Sequence, residues 1–359
     1  MHKNRRPVFL ALSLVSLAAF LASCEFMQKL DPLYCGESDA PVTLTLEAFR
    51  ASQTNQTVDN TVPLLRARAV GLRADLTADV EEGVKRTVTM EMHRVTAGDE
   101  RSLLKSEEFD CVRSTMAMTH HLDAGELQDG DRVEFRVLDH TGALLDEASV
   151  EPRFISGTPF SLVFVPLGLN DEQAEFEESD AESMSRAAHE LFPTDLGYVF
   201  RERLDLGDIE EEGVERSYEA LARLREVANG WRSAGELPEL AVVIGVLPTF
   251  SGTSWGVGGG SHGVTINSMS MFLHEVGHAV GAPHADGCGA PAPLEGTTTQ
   301  VLPLGFNHVQ RTWHGGNDMM SYCHPRNWIG APLYERVMEY FERAQLHGHT
   351  LQILTLPDR

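Results

Sequence analysis

The stretch MFLHEVGHAVGAPH, residues 271–284, holds three histidines and one glutamate in fourteen positions. His274 and His278 are four apart, which is about 40° of rotation on an α-helix, so both imidazoles leave one face and can grip one ion. Glu275 follows the first histidine and stands beside such an ion without ligating it. Gly281 can end the helix through a positive φ angle. Pro283 holds Ala282 extended, and His284 can then swing back to complete a set of three ligands. The plain alternative is a helix whose histidines are solvated or satisfied in a core.

Written out, the string is H-E-V-G-H-A-V-G-A-P-H. It resembles the metzincin zinc-binding signature H-E-x-x-H-x-x-G-x-x-H at all five fixed positions. The resemblance implies Zn2+ held by His274, His278 and His284, with Glu275 accepting a proton from a water that zinc has activated. Metzincins also carry a methionine turn, and NDMMSYC at 317–323 looks like one. Met320 is then the turn methionine, because Tyr322 lies two residues on and matches the M-x-Y variant; Met319 does not offer that spacing. In that variant the tyrosine stabilises the oxyanion as the amide is attacked. A buried core methionine is the competing account of Met320. The family further implies an edge strand upstream of the zinc helix that binds substrate antiparallel. SWGVGGGSHGVTIN, residues 254–267, occupies that place, with a flexible surface loop as the alternative for Gly258 to Gly260.

Outward from this segment, 359 residues suggest about two domains. A hydrophobic share of 42% and a charged share of 23% are those of a globular chain. The net charge of −24 argues against nucleic acid or anionic lipid surfaces as partners, since both need a basic face. At the N-terminus, Lys3, Arg5 and Arg6 precede an uncharged apolar run from Val8 to Ala22. That run is short for a membrane span, which needs about 20 residues, and fits an export signal. It ends in LASC, which resembles the bacterial lipobox and implies lipidation at Cys24. A plain secretion signal or uncleaved anchor is the alternative. Four cysteines remain, Cys35, Cys111, Cys288 and Cys323, and an even number in an exported chain favours disulfides. Cys35–Cys111 and Cys288–Cys323 are preferred because each pair lies within one expected domain; free buried thiols are the alternative.

The expected organisation is a signal at 1–23, a tether at 24–39, an all-β domain at 40–165 and a zinc-site domain at 166–359. Segments such as RTVTMEMHRV and RVEFRVLD alternate apolar and polar residues with period two. Several are separated by glycine-bearing breaks, so the β-domain reads as a sandwich, immunoglobulin-like in texture. FSLVFVPL is its last expected strand. Beyond Leu169 come an acidic helical segment and a second helix, with Tyr218, Leu221, Leu224 and Val227 recurring three apart. A buried strand, ELAVVIGVLP, follows, and the second domain is mixed α and β. His262, His308, His314 and His324 read as surface polar groups, with substrate contact or a second metal as the alternative.

Together these features are similar to secreted bacterial lipoprotein metzincins, the group that includes mucin-cleaving enzymes. The expectation is a multidomain protein, a β-sandwich followed by an α+β metzincin-like protease domain. It would be anchored through Cys24 in the cell envelope, or secreted, and act on protein or glycoprotein substrates. The competing expectation is a surface binding or adhesion lipoprotein with a structural or degenerate zinc site.

Overall fold

The computed structural model describes residues 35–37, 42–53, 56–57, 60–80, 83–157, 160–192, 194, 196–237, 241–249, 256–285, 304–314, 317–321 and 326–346. The chain separates into two compact units. One takes the chain before Arg50 together with Arg73–His120 and Arg132–Val150; the other takes Arg50–Leu72, His121–Asp131 and the chain from Glu151.

The first unit is all-β. Its strands are β1 (Leu44–Ser52), β2 (Val70–Ala78), β3 (Val84–Val95), β4 (Arg101–Val112), β5 (Thr115–Leu122), β6 (Arg132–Asp139) and β7 (Leu144–Val150). They form a three-stranded sheet in the order β1–β2–β5 and a four-stranded sheet in the order β4–β3–β6–β7. Period-two patterning decides which face is buried. On β6, Val133, Phe135 and Val137 are fully buried, while Arg132, Glu134 and Arg136 between them stay partly exposed. The Phe49 ring of β1 lies 5.6 Å from that of Phe135, so the inner faces of the two sheets share a core. Burying a side chain of that size stabilises the fold by about 1.5–3 kcal/mol. Cys35 and Cys111 form a disulfide with their α-carbons 6.0 Å apart. Beside it Gly36 bridges Val84, so the described end of the expected tether is fastened to β3.

The second unit is built on β8 (Phe160–Leu169), β9 (Leu196–Phe200), β10 (Val242–Val246), β11 (Val257–Gly259) and β12 (His262–Thr265). Among these five strands the order is β9–β8–β10–β12–β11, parallel except between β12 and β11; the two-residue strands Glu172–Gln173 and Leu204–Asp205 also pair with β8, the first antiparallel and the second parallel. Here the expected domain boundary shifts. FSLVFVPL does not join the sandwich; it is the strand between β9 and β10. The reason is visible in its burial: all ten residues of β8 are buried, as a parallel strand covered on both faces requires.

Among the described residues, four helices cover this sheet: α1 (Glu178–Leu191), α2 (Gly213–Ser233), α3 (Met269–Ala279) and α4 (Ala331–Leu346). Alternation along β8 sorts them. Phe160, Leu162 and Phe164 pack with α1, α3 and α4, whereas Val163, Val165 and Leu167 pack with α2. On α2 the buried residues are Ser217, Ala220, Leu221, Leu224 and Ala228. Tyr218, expected on the apolar stripe, is 54% exposed. Residues three apart drift by about 60° per step on a helix, so a row of four sweeps about half the circumference and its ends leave the core face.

Candidate metal centre

Helix α3 is buried over Phe272–Gly277 because it packs against β11 and β12 of the sheet and against α1. Two glycines of β11 and its lead-in permit this. A β-carbon on Gly258 would come 2.5 Å from the Glu275 carbonyl oxygen and 2.8 Å from His278 Cβ. One on Gly256 would overlap the Glu275 carboxylate. The expected edge strand is therefore an ordered strand, paired antiparallel with β12 through a turn in which Gly260 and Ser261 both have positive φ.

The end of α3 is set by Gly281, with φ +84°. Its amide donates to the His278 carbonyl at 2.9 Å, and the Ala282 amide donates to the Gly277 carbonyl at 3.0 Å. This pair of bonds is the Schellman closure, which a residue with a β-carbon at the left-handed position resists. The chain then reverses, and the Ala285 amide donates to the Met320 carbonyl at 3.0 Å, just past His284.

The turn that carries Met320 is held by Asp318, a residue the sequence reading passed over. Its Oδ1 accepts from the Met320 amide at 2.8 Å and its Oδ2 from the Gly330 amide at 2.6 Å. Burial pushes its carboxyl up to about 6, against the pull of those two amides. The available signal was the Asp-x-Met spacing, because an aspartate commonly accepts from the amide two residues on. Met320 is fully buried, and its sulfur lies against Gly277, between the two histidines of the helix.

The imidazoles converge. His278 Nε2 is 3.1 Å from His274 Nε2 and 3.0 Å from His284 Nε2. On the far side of the rings, His274 Nδ1 lies 2.6 Å from the Met319 carbonyl and His278 Nδ1 lies 2.9 Å from the Ala282 carbonyl. A carbonyl only accepts, so each Nδ1 carries the proton and each facing Nε2 of His274 and His278 carries a lone pair. Lone pairs so close repel unless a cation is shared. Two Zn–N bonds of about 2.0–2.1 Å at a tetrahedral angle separate their nitrogens by about 3.3 Å, so the donor set and spacing fit zinc. Burial lowers the His278 pKa, with the neighbouring His284 adding to it, which favours the neutral ligand form. Among the described residues this is the one cluster whose ligand atoms could hold a metal. A cavity of about 470 Å³ opens over the three histidines and Glu275, whose side chain is buried.

Two other expected histidines are not at the surface. His262 is 3% exposed: its Nδ1 donates to the Gly260 carbonyl at 2.7 Å and its Nε2 accepts from Arg232 at 2.6 Å. His308 is also buried, with Nε2 3.3 Å from the His189 carbonyl. Both are held by partners of their own, outside the histidine triad. His314 lies on a short strand, Thr312–His314. Cys24, Cys288, Tyr322, Cys323 and His324 lie outside the described residues.

No protein-family model and no curated protein matches this chain. Solved structures resemble it over about a third of its length. The sensor domain of an anti-sigma factor from Pseudobacteroides cellulosolvens is 9% identical, covering 33% of this chain and 100% of that one at a TM-score of 0.22. The CARDB domain of a Pyrococcus furiosus protein in complex with di-metal ions is 9% identical, covering 35% and 97% at 0.23. An immunoglobulin-like protein of Pseudomonas aeruginosa is 14% identical, covering 32% and 94% at 0.20. Likeness this slight carries no argument about the site.

Proposed function

We propose that this chain is a zinc-dependent endopeptidase of the metzincin type, acting on extracellular proteins or glycoproteins. The observation that carries the reading is the convergence of three imidazole Nε2 atoms, 3.0 and 3.1 Å apart, with the buried Glu275 in the same cavity. A purely structural site has no use for that carboxylate. Support also comes from Met320 against Gly277 and from the antiparallel edge strand β11 beside α3.

Zinc held there would supply Lewis-acid polarisation of the scissile carbonyl and bring the pKa of a water to near 7. Glu275 takes the proton from the attacking water and passes it to the departing amine, so the carbon–nitrogen bond breaks with a neutral leaving group. The carbonyls of Met319 and Ala282 hold His274 and His278 in the tautomer that presents Nε2. Tyr322 is assigned to the oxyanion. Cys24 is the proposed lipid anchor in the cell envelope, and the β-domain is immunoglobulin-like in this reading.

The test compares wild type with Glu275→Ala on denatured casein and on glycosylated substrates, with and without a chelator. Chelator-sensitive cleavage in wild type, lost by a factor of at least about 10² in the variant at unchanged zinc content, is the expected result. Zinc binding without cleavage of any substrate would instead favour a surface binding lipoprotein. Full activity in Glu275→Ala would sink the mechanism.

A further inference from the structure

The cavity over the histidines has a wall that neither the ligands nor Glu275 supplies. Val214 and Tyr218 of α2 line it together with His274 and Glu275. They are four apart and so share one side of the helix. Tyr218 is 54% exposed, on a helix that buries small and aliphatic side chains against the sheet. Met271, three residues before His274 and on its side of α3, adds a third apolar group.

The register of β11 says what this wall faces. Val257 packs with the α2 core, whereas β-carbons on Gly256 and Gly258 would point into Glu275 and His278 of α3. The strand therefore alternates between the α2 face and the α3 face of the sheet. Among the described residues β11 pairs with β12 alone and ends the sheet. In a two-residue hairpin the closing pair, Gly259 and His262, exchanges its bonds, which leaves the Gly258 amide and carbonyl on the open edge. A peptide added there alternates as β11 does. Its side chains point in turn to the α3 face and to the α2 face.

We propose that Tyr218 and Val214 form a specificity wall that selects a large apolar or aromatic substrate side chain, at the position of the bound peptide that projects to the α2 face. The proposal rests on the peptidase reading and adds to it the class of segment cleaved. The face of Tyr218 offers contact area with few torsions to freeze, and Val214 closes the wall one turn before it. A small or charged side chain at that position leaves the wall wetted and gains nothing.

The experiment maps cleavage sites in denatured casein by mass spectrometry for wild type, Tyr218→Ala and Tyr218→Phe, with zinc content measured for each. It then compares paired peptides that carry leucine or alanine at the enriched position. The expected result is enrichment of large apolar residues at one fixed position from the scissile bond in wild type. The leucine-to-alanine ratio of kcat/KM falls about tenfold in Tyr218→Ala, chiefly through KM, and is retained in Tyr218→Phe, all at equal zinc content. An unchanged profile in Tyr218→Ala, or cleavage without enrichment in wild type, overturns the wall and leaves the peptidase reading standing. Zinc-loaded wild type that cleaves nothing overturns both.

Discussion

Gly277 and Met320 meet with no room for a β-carbon between them, so the helix that carries two of the histidines rests directly on the turn that follows. His274 repeats the link through its Nδ1, 2.6 Å from the Met319 carbonyl. Helix and turn thus act as one unit in placing the imidazoles.

Gly277→Ala should drive the new methyl group into the Met320 side chain. Overpacking of this kind costs about 1–3 kcal/mol, and zinc affinity should fall with the melting temperature. Met320→Ala in the same chain should recover part of both losses, because groups in contact are not additive. Thermal unfolding and zinc titration of the two single variants and the double variant read the coupling; strictly additive losses would show that the contact is not the cause.

Gly281→Ala places a β-carbon at φ +84°. The left-handed conformation costs an L-residue about 1–2 kcal/mol. The larger effect should be on metal binding, since the reversal that returns His284 begins here. Gly281→Asn should be milder, because asparagine tolerates this region. Isothermal titration with zinc, beside unfolding of the metal-free forms, separates the two effects.

Added zinc should stabilise the protein by mass action, by about 2.7 kcal/mol at a hundredfold excess over its dissociation constant. His284→Ala should lose nearly all of that shift while the metal-free form unfolds close to wild type, because His284 is only partly buried. A zinc shift equal to that of wild type in this variant would remove His284 from the ligand set.

Opposing pH slopes should appear in the metal-free protein. His262 is depressed to about 4, first by burial and then by Arg232. The unfolded chain, with an ordinary histidine pKa of about 6.5, binds the proton first on acidification. The stability His262 contributes is therefore full above that pH and lost as the pH falls toward about 4, on the order of 3 kcal/mol. Asp318 runs the other way, since burial raises it to about 6. Its contribution is full below the ordinary carboxyl pKa and lost as the pH rises through about 6. Denaturant unfolding from pH 4 to 8 should show His262→Gln reducing the acid-side loss, which His308, lowered by burial to about 3, shares, and Asp318→Asn reducing the loss on the way up, which Glu335, raised by burial, shares. Difference curves against wild type isolate each group.

Much of the site was readable from the chain because its pieces are local. His274, His278 and Gly281 belong to one helix and its cap, and helical geometry alone relates them. The all-β texture of the first unit was equally local, since alternation such as Val133, Phe135 and Val137 needs only a strand with one buried face. The strand at 160–169 belongs to the second unit rather than to the sandwich; a continuous apolar run carries no mark of which sheet will cover it. The burial of His262 and His308 is not legible in the sequence, because their partners, Arg232 and the His189 carbonyl, lie 30 and 119 residues away.

The sequence by itself determined the ligand spacing, the glycine that ends the helix, and the pattern of the β-domain. Each depends on the 3.6-residue or two-residue period of a single element. Only the tertiary structure decided that Met320 sits against Gly277, that Asp318 holds the turn through two amides, and that Tyr218 stands outside the core of α2 and lines the cavity over the histidines. Those relationships join segments far apart in the chain, and close packing of a sheet between helices, rather than any local preference, brings them together.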